Sequence, residues 1–263
     1  MKSKSFAIYV CSFDGYCDLW NPFFSILDSF WPDCIYPKYL INNTLDFSWK
    51  DISVIHSGKE INWFNRAIRT LEMINEDYVL FMLEDYFLSK RVKNEDIEEI
   101  LNYMHYNGIY YYQLSLCHLI KKEKKIRTNI SDKMKYPISL QPAIWKRHEL
   151  LRALYKIKGE TPWDFELYFA SLYENKKEKI NGVAYDTRDI LGYKNGVLRG
   201  KWISNTLKYY RRLAISFNTE NRGILSLGEQ VRYSFAVMVS DTLSSYSKMI
   251  LKKILNFFKI KYL

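Results

Sequence analysis

The chain has 263 residues, 48% of them hydrophobic and 17% aromatic, which is apolar material for one large folded unit, alone or with an appendage, and too much for a disordered chain. No apolar run reaches the roughly 20 residues that cross a bilayer, and the four cysteines, Cys11, Cys17, Cys34 and Cys117, show no zinc-site spacing. The start does not read as a secretory signal, so a reducing cytosol is the expected setting. The formal charge of +10 is unevenly placed: residues 1 to 192 hold 26 Lys+Arg against 26 Asp+Glu, while 193 to 263 hold 13 against 3.

Phe6 to Val10 reads as a strand running into the polar turn Cys11-Ser-Phe-Asp-Gly15. Leu19 to Phe30 carries a helical apolar stripe, and Pro37 to Ile41 and Ile52 to Ile55 read as the next strands. Asn62 is the expected N-cap of a helix whose Trp63, Phe64, Ala67, Ile68, Leu71 and Ile74 share one side. Tyr78 begins a strand apolar throughout. Asn94 is expected to cap a helix ending near Tyr106, with Gly108 as its stop, and Tyr110 to Leu116 reads as a strand. Lys121 to Lys135 is basic without apolar period and reads as a loop. Ile138 to Trp145 suggests a strand, His148 to Tyr155 a helix, and Gly159 a break before Thr161-Pro162 opens another helix. Strands alternating with helices predict an α/β fold with a mostly parallel sheet.

The anomaly is Tyr78-Val-Leu-Phe-Met-Leu-Glu-Asp-Tyr-Phe-Leu88, where Glu84 and Asp85 end a strand that should be buried on both faces. An unpaired buried carboxylate costs several kcal/mol, so the pair needs a cation, donors or water. Ligands of open α/β sheets bind beyond the carboxyl ends of strands, which makes this a candidate site; a helix cap or an arginine partner is the structural alternative. Neighbouring strand residues face opposite ways, so both carboxylates reach one point only if the chain turns there.

A second acidic pair, Asp164 and Glu166 in Trp163-Asp-Phe-Glu166, lies near a helix start; two residues apart, the acids point to different sides, and only one should face a cleft. First-turn acids also favour a helix by ~0.5 kcal/mol without any function. Asn195-Gly-Val-Leu-Arg-Gly-Lys-Trp202 sets Arg199 and Lys201 among glycines but is no Walker loop. The absence of GxSxG, HExxH and GxGxxG argues against a hydrolase, a zinc protease and a dinucleotide enzyme.

YVLFMLEDYFL, YPISLQPAIWKRHELLRAL and TPWDFELYFASL together resemble bacterial GT-A glycosyltransferases of capsule, O-antigen and lipopolysaccharide assembly, over roughly residues 6 to 202. The resemblance implies a GT-A-like, Rossmann-like fold with a mostly parallel central sheet flanked by helices. It implies a nucleotide-sugar donor whose diphosphate is managed by Glu84 and Asp85, directly or through Mn²⁺ or Mg²⁺, although the family's acidic motif is DxD and here ED precedes Tyr86. Ser12, Asp14 and Tyr16 would belong to the loop over base and ribose, and Arg199 and Lys201 would close over the diphosphate. Asp164, with Glu166 second, would take the proton from the acceptor hydroxyl in an inverting reaction.

Leu243 to Leu263 has a helical pattern, with Lys248, Lys252, Asn256 and Lys259 along one side and Met249, Ile250, Ile254 and Phe257 elsewhere. Wide apolar surface beside lysines suits an anionic membrane interface better than nucleic acid, the alternative being a helix docked on its own domain. The expected organisation is a catalytic region over 1 to 202 and a helical, basic region over 203 to 263, attached to the inner face of the plasma membrane. The acceptor would be a glycan or lipid-linked glycan. A sugar-binding or scaffolding subunit, or a nucleotidyl- or phosphotransferase using the same acids, are the competing readings.

Overall fold

A computed structural model describes residues 4–59, 62–114, 127–129, 137–174, 181–226 and 228–232. The first strand, β1 (Phe6–Cys11), is buried at all six positions and leads into a 3-10 turn over Asp14–Leu19 and then α1 (Trp20–Phe30). There follow β2 (Lys38–Asn42), β3 (Ile52–His56), α2 (Trp63–Glu72), β4 (Tyr78–Leu83) and a short β5 (Tyr86–Phe87). Asn62 caps α2 as expected, its Oδ1 accepting from Asn65 N at 2.9 Å.

Next come α3 (Asn94–Tyr106), β6 (Tyr111–Gln113), β7 (Arg127–Asn129), β8 (Ala143–Lys146), α4 (Arg147–Lys156) and α5 (Pro162–Glu174). Asn94 is the first residue of α3 and not its cap: its Oδ1 instead accepts from Trp31 Nε1 at 2.8 Å. The strand expected from Ile138 is limited to Ala143–Lys146, and the stretch read as a basic loop contains β7, whose three residues are too few to show a period. The chain continues through β9 (Val183–Asp186), β10 (Lys194–Asn195), β11 (Val197–Leu198), β12 (Lys201–Ile203), α6 (Ser204–Arg211) and β13 (Ile224–Leu225).

Eight strands form one sheet in the order β3-β2-β1-β4-β8-β6-β9-β7, parallel except for β8 and β7, so the mixed α/β class with a mostly parallel central sheet is what the chain adopts. Two hydrophobic clusters cover its faces. Phe6, Ile8 and Val10 of β1 and Leu80 and Met82 of β4 meet α1, α3 and α6 on one face, while Tyr9, Cys11, Val79 and Phe81 meet α2, α4 and α5 on the other. This alternation is the two-residue period of the strand expressed in three helices per side. The described part of the C-terminal region shares the first cluster: Leu207, Tyr210 and Ile215 are buried in it, and Trp202 in β12 pairs with Ile224 in β13. The residues of the amphipathic stretch Leu243 to Leu263 lie outside the described residues. No described helix is long and apolar enough to cross a membrane.

Candidate active site

From β1 the chain crosses by α1 to β2 on one side, and from β3 it returns by α2 across the other face to β4, which pairs with β1 on its opposite side. The crevice beyond the carboxyl ends of β1 and β4 is therefore the topological switch point of the sheet, where such folds bind ligands. Cys11 pairs in register with Leu83, which sets the loop from Ser12 beside Glu84 and Asp85. The chain does turn at the pair, since β4 ends at Leu83, and Gly196 N donates to Asp85 O at 2.7 Å to hold the turn.

Glu84 is 6% exposed, and burial first, then the neighbouring Asp85 charge, pushes its carboxyl up to about 8 despite the opposing pull of its own amide, Arg66 and Arg222. Burial lifts Asp85 to about 6, against its own amide and Arg222. Asp85 as a residue is only partly covered, yet its Oδ1 is sealed from solvent with no hydrogen-bond donor. The pair is thus held where full ionisation of both carboxyls is under-compensated. Among the described residues no third His, Cys, Asp or Glu completes a metal cage. A Mg²⁺ or Mn²⁺ shared with a diphosphate needs only one or two carboxylates, and the unsatisfied Asp85 Oδ1 is an atom such an ion would satisfy, so the pair fits that donor set.

Two cations that sequence patterns do not reveal stand at this crevice. Arg66 of α2 donates from Nη1 to Asn43 Oδ1 at 3.3 Å and lies 5.4 Å from the Phe13 ring centre, while its buried Nε has no acceptor. Arg222 forks onto Asp18, with Nε and Nη2 each 2.7 Å from a carboxylate oxygen, and lies 4.3 Å from the centre of the Tyr16 ring. It also donates to Gly15 O and Gly200 O, both at 3.3 Å, and so ties the C-terminal segment to the loop after β1. Burial, then Glu84, raise the Tyr16 phenol, which Arg222 partly offsets.

The remaining loop residues have structural partners. Ser12 is buried and accepts from Trp20 Nε1 at 2.8 Å. Asp14 receives the amides of Asn43, Thr44 and Leu45 and the Thr44 hydroxyl, which together outweigh the effect of burial and hold its carboxyl below the ordinary value. Arg199 and Gly200 both adopt positive φ, 54° and 74°, as the two central residues of the β11–β12 hairpin, the conformation a tight primed turn requires. Lys201 pairs with Glu229 at 2.6 Å. From the C-terminal side, the charge of Arg222 reaches both Glu84 and Asp85 and lowers their carboxyls.

The second acidic pair is divided as its spacing requires. Asp164 Oδ2 accepts from the amides of Glu160 and Thr161 and from the Thr161 hydroxyl, at 3.0, 2.9 and 2.9 Å, and these bonds hold its carboxyl below the usual range. Thr161-x-x-Asp164 has capping-box spacing, the sequence signal that separates the two acids. Glu166, by contrast, is raised by burial, eased only by the Leu140 amide that donates to its Oε1 at 2.8 Å. The two carboxylates thus differ in their partners: the first is committed to its helix, and the second, half-buried, accepts from the Leu140 amide. Tyr86 links the two acidic sites. Burial, then the charges of Asp85, Tyr193, Glu166 and Glu84, drive its phenol well above the ordinary value, so the charge of all three carboxylates is felt at one side chain. A groove elsewhere, between α2 and α4, is lined by Phe64, Ile68, Leu154 and Tyr155 and includes none of these acids.

No protein-family model and no curated protein matches the sequence. Among solved structures, S. aureus TarS 1-349 is similar at 12% identity and a TM-score of 0.44, over 70% of this chain and 58% of that one; it has also been solved with UDP-GlcNAc. A cytidylyltransferase from Leptospira borgpetersenii matches at 11% identity and a TM-score of 0.39, over 66% and 73% of the two chains. The bifunctional IspDF from Campylobacter jejuni matches at 14% and 0.36, over 62% and 47%. The chain thus spans little more than half the length of the TarS structure, and likeness this distant says nothing of chemistry, which resides in the residues themselves.

Proposed function

We propose that the protein is a glycosyltransferase of GT-A type that moves a sugar from a nucleotide-sugar to a hydroxyl of a surface-glycan acceptor of the capsule, O-antigen or lipopolysaccharide kind. The observation that carries this reading is the placing of Glu84 and Asp85 where β4 ends at the switch point, beside the loop after β1, with Asp85 Oδ1 buried and unsatisfied. One carboxylate pair awaits a cationic or diphosphate-linked partner, and a third carboxylate, kept in reserve nearby, suits proton removal.

In this reading the donor diphosphate lies over Glu84 and Asp85. Mg²⁺ or Mn²⁺ bound to these two carboxylates would supply charge compensation for the leaving diphosphate. Arg222 and Arg66 supply fixed positive charge from either side of the same crevice. Glu166 takes the proton of the acceptor hydroxyl as its oxygen bonds to the anomeric carbon and the bond to the diphosphate breaks on the opposite face, which inverts the configuration. Burial raises Glu166 toward working pH, and a stronger base transfers protons more effectively there. The basic C-terminal segment would keep the enzyme at an anionic inner-membrane surface, where lipid-linked acceptors are held.

The test is a thermal-shift panel of nucleoside diphosphates, nucleotide-sugars including UDP-GlcNAc, and CTP, each with and without Mn²⁺. A ligand at 100 times its dissociation constant adds ~2.7 kcal/mol to stability. Stabilisation by one nucleotide-sugar, lost in Glu84→Gln/Asp85→Asn, is the expected result. No shift with any nucleotide moves a sugar-binding subunit to the front. Transfer of labelled nucleotide, and not labelled sugar, to product would replace the reading by nucleotidyl transfer, although the loop after β1 has no glycine-rich run to cradle a triphosphate.

A further inference from the structure

The face that α6 turns to solvent carries charge without counter-charge. Lys208, Arg211 and Arg212, three and four residues apart, share one side of the helix and are exposed, while Thr206, Leu207 and Tyr210 are buried on the other. Among the described residues none of the three meets a carboxylate, whereas elsewhere Lys50 meets Asp28, Lys90 meets Asp189 and Arg152 meets Glu149. The described acids of the segment after residue 193 are Glu220 and Glu229, and Glu229 is held by Lys201. Cations in a last helical turn complement the helix dipole, but the dipole does not require three of them on one face.

The helix end presents an apolar tip among these charges, for Leu213 is 48% exposed. The chain reverses there: Ala214 takes a φ of 60°, its amide donates to Arg211 O at 3.1 Å, and Ile215 N donates to Tyr210 O at 3.1 Å. Ile215 is buried in the core, so the reversal is anchored from inside and holds Leu213 on the outside. At the flank Tyr209 is half-buried, with Lys194 Nζ 4.7 Å from its ring centre. Unpaired cations around an exposed aliphatic side chain are complementary to an anionic lipid surface, where the charges meet headgroups and the apolar group enters the acyl boundary. Nucleic acid would use the cations and leave Leu213 idle.

We propose that the α6 face of Lys208, Arg211, Arg212 and Leu213 docks on an anionic membrane leaflet, so that the folded domain itself makes the contact and does not leave it to the basic stretch Leu243 to Leu263. This rests on the transferase reading only for the purpose of the attachment, which is access to a lipid-linked acceptor; the lipid contact does not require it.

The experiment floats the full chain with vesicles of equal parts phosphatidylglycerol and phosphatidylcholine, and with phosphatidylcholine alone, in about 0.1 M salt. Each cation at such a surface contributes about fivefold to binding. The expected result is binding to the mixed vesicles only, weaker by at least tenfold in Lys208→Gln/Arg211→Gln/Arg212→Gln and by about threefold in Leu213→Ser, which removes no charge. Lys208→Gln alone, about fivefold weaker, keeps the test if the triple variant does not fold. Equal binding of wild type and these variants overturns the proposal, because the attachment then lies elsewhere in the chain, and so does absence of binding to the mixed vesicles. Binding of an RNA oligonucleotide that the triple variant loses, with vesicles left unbound, assigns the face to nucleic acid and overturns it too. Failure of the transferase reading looks different: the vesicles bind the protein while no nucleotide stabilises it.

Discussion

The two acidic sites differ in how their charges are satisfied. At Asp164 three donors gather on one oxygen, and the carboxyl sits below its ordinary value. At Glu84 and Asp85 burial dominates, two like charges adjoin, and the pair is lifted to about 8 and about 6. Both sites are carboxylates near the end of an element, and a motif search treats them alike. A group with its donors in place serves the fold; a buried group without them is a standing cost that persists where something else is to be bound.

The largest expected effect tests that distinction at the pair. Glu84→Gln/Asp85→Asn should reduce transfer at least a hundredfold and yet raise the stability of the ligand-free protein, by on the order of 3 kcal/mol at pH 7.5. The sign follows from linkage. A carboxyl whose folded pKa lies above the unfolded value favours the fold while protonated; for Glu84 that contribution is full below 4.5 and is lost as pH climbs through about 8. Wild-type stability without ligand should therefore fall from pH 5 to pH 8 more steeply than that of the variant, as urea denaturation at a series of pH values would show. Lower stability of the double variant at neutral pH would identify the pair as structural.

Within the second site the comparison is sharpened by two single changes. Glu166→Gln should lower transfer 10²- to 10⁴-fold, the range of a lost general base, with little change in melting temperature. Asp164→Asn should do the reverse, lowering the melting temperature while transfer largely persists, because its oxygen holds Thr161 and Glu160. Kinetics and thermal melts on the same two samples decide it; loss of turnover in Asp164→Asn alone would restore Asp164 as the base.

The parts of this arrangement visible in the sequence are those with a period or an incongruity. β1 and β4 are apolar runs, α2 has a side-chain cap and a one-sided stripe, and Glu84-Asp85 stands out as charge in an apolar strand. β7, the β5–β10 pair and the β11–β12 hairpin are two or three residues per strand, below any detectable alternation. Arg66, Tyr86 and Arg222 were invisible for another reason: each is ordinary in its own stretch and acquires meaning from side chains distant in the chain. Thr161-x-x-Asp164 was legible as a cap, and its weight became clear only beside Glu166.

Arg222 is next in size. Its fork onto Asp18 is well shielded, with the side chains 10% and 6% exposed, and removing one partner strands the other. Arg222→Met should cost about 3 kcal/mol, at the low end for breaking a buried pair, and weaken donor binding by removing a positive charge from the crevice. Asp18→Asn/Arg222→Met should cost less than the two single changes together, a coupling measurable by a double-mutant cycle in urea. Simple additivity would mean that Arg222 acts through Tyr16 and the glycine carbonyls and not through Asp18.

The smallest effect separates fold from site once more. Gly200 has φ of 74° in the hairpin turn, and a Cβ there meets no atom within 4 Å, so Gly200→Ala carries only a backbone penalty of about 1 kcal/mol. Its carbonyl accepts from Arg222 at 3.3 Å, which connects the turn to the crevice. If the hairpin only supports the fold, the alanine variant loses that increment of stability and binds donor unchanged. If the turn positions Arg222, donor affinity falls with it, and Arg222→Met should abolish the further effect of alanine.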